Sequence, residues 1–233
     1  MSEGVREWHE FALTHVEYPV GDNVGKVLCL FSLLPQALIV SFVTLVMFKR
    51  DLHTIFFFIG VCACEVLNII LKHTLQQARP SLKRTNYSLY GMPSSHSQLS
   101  WFIAGYLTLF LLIRLHHVQT SSLLMNMWKH MAAVLCCVCA ALVSFSRVYL
   151  EYHSWWQVVC GAGVGVAFGV LWFVFVHWVC TPFFPQIVQW RICELLLICD
   201  TSLIPCIMWF EYANIRQEAR ARQRRLHLSA KSQ

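Results

Sequence analysis

Five apolar stretches, at about 27–48, 53–73, 97–115, 130–146 and 156–180, dominate this chain. A helix needs roughly 20 residues to cross the hydrocarbon core of a bilayer, and each stretch is near that length. Of the 233 residues 57% are hydrophobic and 13% charged, so a water-soluble domain of this size would leave too much apolar surface wet. Lipid removes that limit. The expectation is an all-α, polytopic transmembrane bundle of about five spans over 27–180. Residues 1–26 then form a polar or interfacial segment, and 181–233 an interfacial segment with a basic cytosolic tail.

The segments around the bundle carry their own signals. Residues 1–26 lack the basic start and apolar middle of a cleaved signal, so the first span serves as an uncleaved one. Their acids, mixed with Trp8, Phe11 and Tyr18, suit a short helix at the membrane surface. Pro35 interrupts the first span, and Gly161, Gly163, Gly165 and Gly169 give the last one a small face for close helix packing. The stretch 192–210, broken by Glu194, Asp200 and Pro205, reads as an interfacial helix, a re-entrant element or a poor sixth span. Asn86-Tyr87-Ser88 is a glycosylation sequon too close to the membrane for much use, and His116 and His117 read as loop residues. Most of the eleven cysteines lie inside apolar runs with no paired C-x-x-C spacing, which favours packing over zinc or disulfides.

A net charge of +6 suits membrane orientation and an anionic substrate better than nucleic acid. With five spans, the N-terminus and the loops near 74–96 and 147–155 share one face. The 49–52 turn, the 116–129 loop and the tail share the other, which carries more Lys and Arg and is therefore assigned to the cytosol.

Three polar clusters fall on the first face: Lys72 with Arg79-Pro80, Pro93-Ser94-Ser95-His96, and Ser146-Arg147 with His153. Singly each has a plain reading. Lys72 fits a snorkelling lysine, Ser94–Ser95 an ordinary helix cap, and His153 an interfacial histidine beside Trp155 and Trp156. Jointly they suit phosphoryl transfer, which is mostly positioning and electrostatic stabilisation. Lys72, Arg79 and Arg147 supply charge without a metal ion or other cofactor. Ser95 with Gln98 reads as a capping box that aims free N–H groups at a phosphate. Two histidines suffice for a nucleophile and an acid.

The clusters, K-HTLQQA-RP, PSSH and SR-VYLEY-H-SWW-Q over residues 72–157, resemble the three-part signature of the type-2 phosphatidic acid phosphatase superfamily. That resemblance implies an all-helical membrane phosphatase with His153 as nucleophile and His96 as general acid. Lys72, Arg79, Ser94, the Ser95 backbone and Arg147 would bind phosphate. The whole chain, including Leu13–Pro19, is similar to the branch that acts on dolichyl diphosphate at the lumenal face of the endoplasmic reticulum, supporting lipid carrier recycling for protein N-glycosylation. The implied partners are membrane lipid and that substrate. Ser95 replaces the usual glycine, and Gln157 replaces the aspartate that normally orients the nucleophile. Gln157 shares a helix face with His153 and keeps an acceptor for the imidazole N–H, while Glu65 and Glu151 are other sources of the missing charge. The rival readings are a phosphatase or phosphotransferase for another lipid phosphate, and a non-catalytic lipid-binding membrane protein.

Overall fold

The computed structural model describes residues 8–11, 16–19, 21–80, 90–114, 123–202, 204 and 207–231. The Asn86 sequon, His116 and His117 lie outside them. The first described element is a hairpin rather than the expected surface helix: β1 (Trp8–Phe11) pairs antiparallel with β2 (Val16–Pro19). Val16 and Tyr18 suit extended backbone, and the stretch is too short and mixed for a stable amphipathic helix.

Five helical stretches are long and apolar enough to cross a membrane, which makes the chain a multi-pass protein. The first span starts at Asp22, whose side chain accepts from the Val24 N–H at 2.9 Å. It is broken into α1 (Asn23–Ser32) and α2 (Leu34–Lys49), because Pro35 has no N–H to continue the ladder. Asp51 then caps α3 (Leu52–Leu75), which ends at Gln76 with left-handed backbone, φ 46°. The third span is α4 (Ser95–Leu109) with a π turn over Phe110–Arg114. The fourth is α5 (Leu123–Tyr149). The fifth is α6 (Trp155–Val174), extended through Phe175–Cys180 and a 3-10 turn into α7 (Phe184–Ile187).

Helix α4 is the most buried span and packs against α6, α5 and α3. Phe57, Val61, Phe102, Tyr106 and Phe173 form the apolar centre. Gly161, Gly165 and Gly169 lie directly against the α4 backbone: a Cβ on Gly161 would come within 2.7 Å of the Ser94 carbonyl, and one on Gly169 within 2.8 Å of that of Phe102. Gly163 faces open space, so the glycine face is three residues wide, not four.

Among the described residues the stretch after α7 forms no helix long and apolar enough for a sixth span. Helix α8 (Arg191–Leu196) is short, and Cys199 then bridges to Asp51, with Leu52 N–H donating to Cys199 O at 3.0 Å. Asp51 also accepts from the Thr201 hydroxyl at 2.6 Å, fastening this segment to the start of α3. The basic tail is helical: α9 spans Ile207–Lys231.

Candidate active site

The site forms where the last turn of α3, the first turn of α4 and the α5–α6 turn meet. Each cluster owes its place to a helix end. Lys72 lies in the last turn of α3, half-buried. Beyond it, Ala78 pairs with Tyr90 and Gly91 N–H donates to Gln77 O at 2.7 Å, so Arg79 returns over the site. Arg147 lies in the last turn of α5 with its guanidinium 4.1 Å from the Tyr152 ring centre and only 2% exposed. The Arg147 carbonyl accepts from the His153 N–H at 3.1 Å, so one residue anchors the turn that presents the histidine.

The α4 cap differs from expectation. Ser94, not Ser95, is the N-cap, and no side chain caps the helix. Gln98 points into the core instead, donating to Cys64 O at 3.0 Å and accepting from Asn68 Nδ2 at 2.8 Å. A glutamine in a membrane core gains more by joining two helices than by folding back to its own cap. The Ser94 hydroxyl is therefore buried without a hydrogen-bond partner among the described residues. Such a group costs stability unless something fills its acceptor or donor capacity, and a phosphate oxygen would. The Ser94 N–H is spent on Gln157 O at 3.0 Å, whereas Ser95 opens the helix at the place expected for an anion.

The capping box falls at Ser154-x-x-Gln157, at the start of α6. Gln157 is 1% exposed, and its amide orientation is set by its neighbours. Its Nε2 donates to Ala78 O at 2.9 Å, and its Oε1 accepts from the Ser154 N–H at 3.3 Å. The oxygen that remains facing His153 Nδ1, at 3.1 Å, is an acceptor, so Nδ1 carries the proton and Nε2 holds the lone pair. Gly91 leaves the room this needs, since a Cβ there would meet the Gln157 amide at 2.8 Å. Burial, with the charges of Arg147, Arg79 and Lys72, pushes the His153 imidazole down to about 3 against the opposing effect of Gln157. At neutral pH His153 is thus a neutral imidazole.

His96 sits within electrostatic reach of Arg147, His153, Lys72 and Arg79. Sequence reasoning missed its immediate partner, Gln36. With the amide oxygen toward His96, Nε2–H donates to Gln36 Oε1 at 2.9 Å, and the Gln36 nitrogen donates to Leu33 O and Ser32 O at 3.1 and 3.2 Å. Pro35 and the helix break put it there. The only sequence signal was a glutamine beside a proline inside an apolar run. Both imidazoles are thus held by neutral amides, and among the described residues no carboxylate hydrogen-bonds either one. Glu65 is half-buried on α3 and its charge reaches Lys72, while Glu151 is exposed on the turn. Among the described residues no cluster of three or more His, Cys, Asp or Glu has metal-binding geometry.

The sequence profile of the PAP2 superfamily matches residues 53–180, which contain all three clusters. The chain belongs to the PAP2 superfamily. A human relative, "Dolichyldiphosphatase 1", is 47% identical over 221 residues, covering 94% of this chain and 93% of that protein. "Lipid phosphate phosphatase gamma" of Arabidopsis thaliana is 37% identical over 88% of this chain and 89% of that one. Among solved structures, a transmembrane PAP2 type phosphatidylglycerolphosphate phosphatase from Bacillus subtilis matches with a TM-score of 0.56. It is 21% identical, covering 69% of this chain and 80% of that one, and so shares the fold of this PAP2 bundle.

Proposed function

We propose that this protein hydrolyses dolichyl diphosphate to dolichyl phosphate and inorganic phosphate through a phosphohistidine. Its PAP2 membership and its near full-length likeness to dolichyldiphosphatases support the substrate class. The observation that carries the mechanism is the His153–Gln157 contact, which protonates Nδ1 and leaves Nε2 as a buried, neutral nucleophile among three cations.

In the first step His153 Nε2 attacks the terminal phosphorus. A P–N bond forms and the P–O bond to the lipid monophosphate breaks, with a proton from His96 placed on the departing oxygen. Lys72, Arg79 and Arg147, with the Ser94 hydroxyl and the Ser95 N–H, bind the equatorial oxygens as charge spreads over them. Water then attacks phosphorus, His96 takes its proton, and the P–N bond breaks to release phosphate and restore the imidazole. The amide of Gln157 orients without adding negative charge to a cage built for a polyanion, and Gln36 does the same for His96.

The polyisoprenoid tail lies in lipid beside α2, where Gln36 is exposed at the flank of the site. The charge asymmetry of the loops supports a lumenal site in the endoplasmic reticulum membrane, where the product would re-enter the lipid carrier cycle of N-glycosylation. The test is phosphate release by purified protein from dolichyl diphosphate, dolichyl phosphate and phosphatidic acid, with EDTA present and His153→Ala alongside. EDTA-insensitive release favouring the diphosphate, absent in the variant, is expected. Equal release from all three would replace the substrate, and undiminished release by His153→Ala would remove the mechanism.

A further inference from the structure

The end of the molecule opposite His96 and His153 carries a second, separate set of cations. Helix α9 is fastened there: Lys49, the last residue of α2, reaches Glu211 at 3.9 Å, and the chain leading into α9 is pinned to Asp51 through Cys199 and Thr201. Helix α3 alone, 24 residues at 1.5 Å each, puts about 36 Å between Asp51 and the site end. The phosphate cage described above therefore has no part in what happens at α9.

Charge on α9 is sorted by face. Arg216, Arg220 and Arg224 recur every fourth residue and line one shallow strip with Trp209 and Tyr212. Its two acids fall on the other side and are both engaged, Glu211 with Lys49 and Glu218 with Arg222 at 2.9 Å. Arg216 donates to the Tyr212 hydroxyl at 3.3 Å and lies 5.9 Å from its ring centre, while Arg220 and Arg224 are exposed. At the membrane end of the strip Trp209 and Tyr212 are 69% and 51% exposed. Aromatic rings of that kind settle at the headgroup level of a bilayer. A strip that begins with such rings beside the end of a span and continues with unneutralised arginines matches one surface in both respects: apolar-to-polar interface first, then phosphates.

We propose that α9 lies on the membrane and that Arg216, Arg220 and Arg224 bind the phosphates of anionic lipids in the leaflet opposite the active site. The occupant is the headgroup layer of the bilayer that holds the protein. Arginine forks suit phosphate oxygens, and the aromatic turn sets the depth.

The test is hydrogen exchange of α9 in the full-length protein, reconstituted in nanodiscs of phosphatidylcholine with or without roughly 20% phosphatidylserine. Exchange over residues 209–226 should slow about fivefold or more with the anionic lipid and return to the neutral-lipid rate in high salt, as screening requires. Arg216→Gln/Arg220→Gln/Arg224→Gln should abolish the difference, while Arg222→Gln/Arg225→Gln, on the other face, should keep most of it. Both sets of variants should keep wild-type phosphate release in detergent, which also shows that they fold. Equal exchange in the two lipids would overturn the proposal and leave the strip to a protein or nucleic-acid partner. Equal loss in both variant sets would overturn the face assignment, reducing the effect to bulk charge.

Discussion

Replacing Gly161 by Ala tests whether the α4–α6 contact sets catalytic geometry. The new Cβ would sit 2.7 Å from Ser94 O, 3.3 Å from Ser94 N and 3.4 Å from Gln98 N. All three are backbone atoms, so no side chain can swing away. Restoring an ordinary contact needs a displacement of about 0.7 Å between the start of α4, which carries His96, and α6, which carries Gln157. The Ser94 N–H to Gln157 O bond of 3.0 Å lies in the same gap and would lengthen. A misplacement near 1 Å costs about 100-fold in rate, so a fall of roughly 10- to 100-fold in kcat is expected, with about 1–3 kcal/mol of stability lost to overpacking. Two further variants separate these effects. Gly169→Ala meets the Phe102 carbonyl at 2.8 Å, two helical turns from the site, and should lower Tm comparably with a smaller loss of kcat. Gly163→Ala meets nothing within 4 Å and should leave both unchanged or raise Tm slightly. The assay is phosphate release at saturating lipid, with thermal unfolding followed by tryptophan fluorescence. Gly161→Ala behaving like Gly163→Ala would refute the reasoning.

Three other outcomes follow from the site. Gln157→Asp should lower kcat by about tenfold or more, because a carboxylate cannot donate to Ala78 O as Nε2 does at 2.9 Å, and an unmade buried bond is costly; unchanged turnover, with Glu65→Gln abolishing it, would shift the orienting role to Glu65. Ser94→Ala should raise KM without lowering Tm, since its buried hydroxyl has no hydrogen-bond partner among the described residues to lose; a clear drop in Tm with unchanged KM would contradict that. His153 is held down to about 3 in the fold against about 6.5 unfolded, so protonation favours unfolding; stability measured without added substrate should fall as pH drops from about 6.5 toward 3, with His153→Gln flattening that slope.

How much was legible depended on how local the determinant is. The five spans follow from hydropathy, because lipid solvates whatever a helix leaves exposed, and all three clusters sit on helix ends that the two intervening spans, the third and fourth, return to one side. Long-range competition was harder to see. Ser95-x-x-Gln98 has the spacing of a capping box, yet Gln98 is captured by Cys64 and Asn68 of α3, while the box that forms is Ser154-x-x-Gln157. Gln36 owes its role to a helix break whose direction no local pattern encodes. Gly163 shares the small-residue spacing of its neighbours but falls on the far side of the helix, since alternate residues do not share a face. The segment 191–202 is too short and too charged to make a span of its own, but its anchor on Asp51 is a contact across 150 residues.

The central claim, that His153 Nε2 becomes covalently phosphorylated, is tested most directly by trapping. Protein mixed with dolichyl diphosphate labelled at the terminal phosphate is quenched in alkali, where phosphohistidine survives, and the labelled peptide is mapped. Alkali-stable, acid-labile label on His153, absent in His153→Ala and unaffected by EDTA, is the predicted result. Rapid phosphate release with no label on His153, or label retained by His153→Ala, would contradict it.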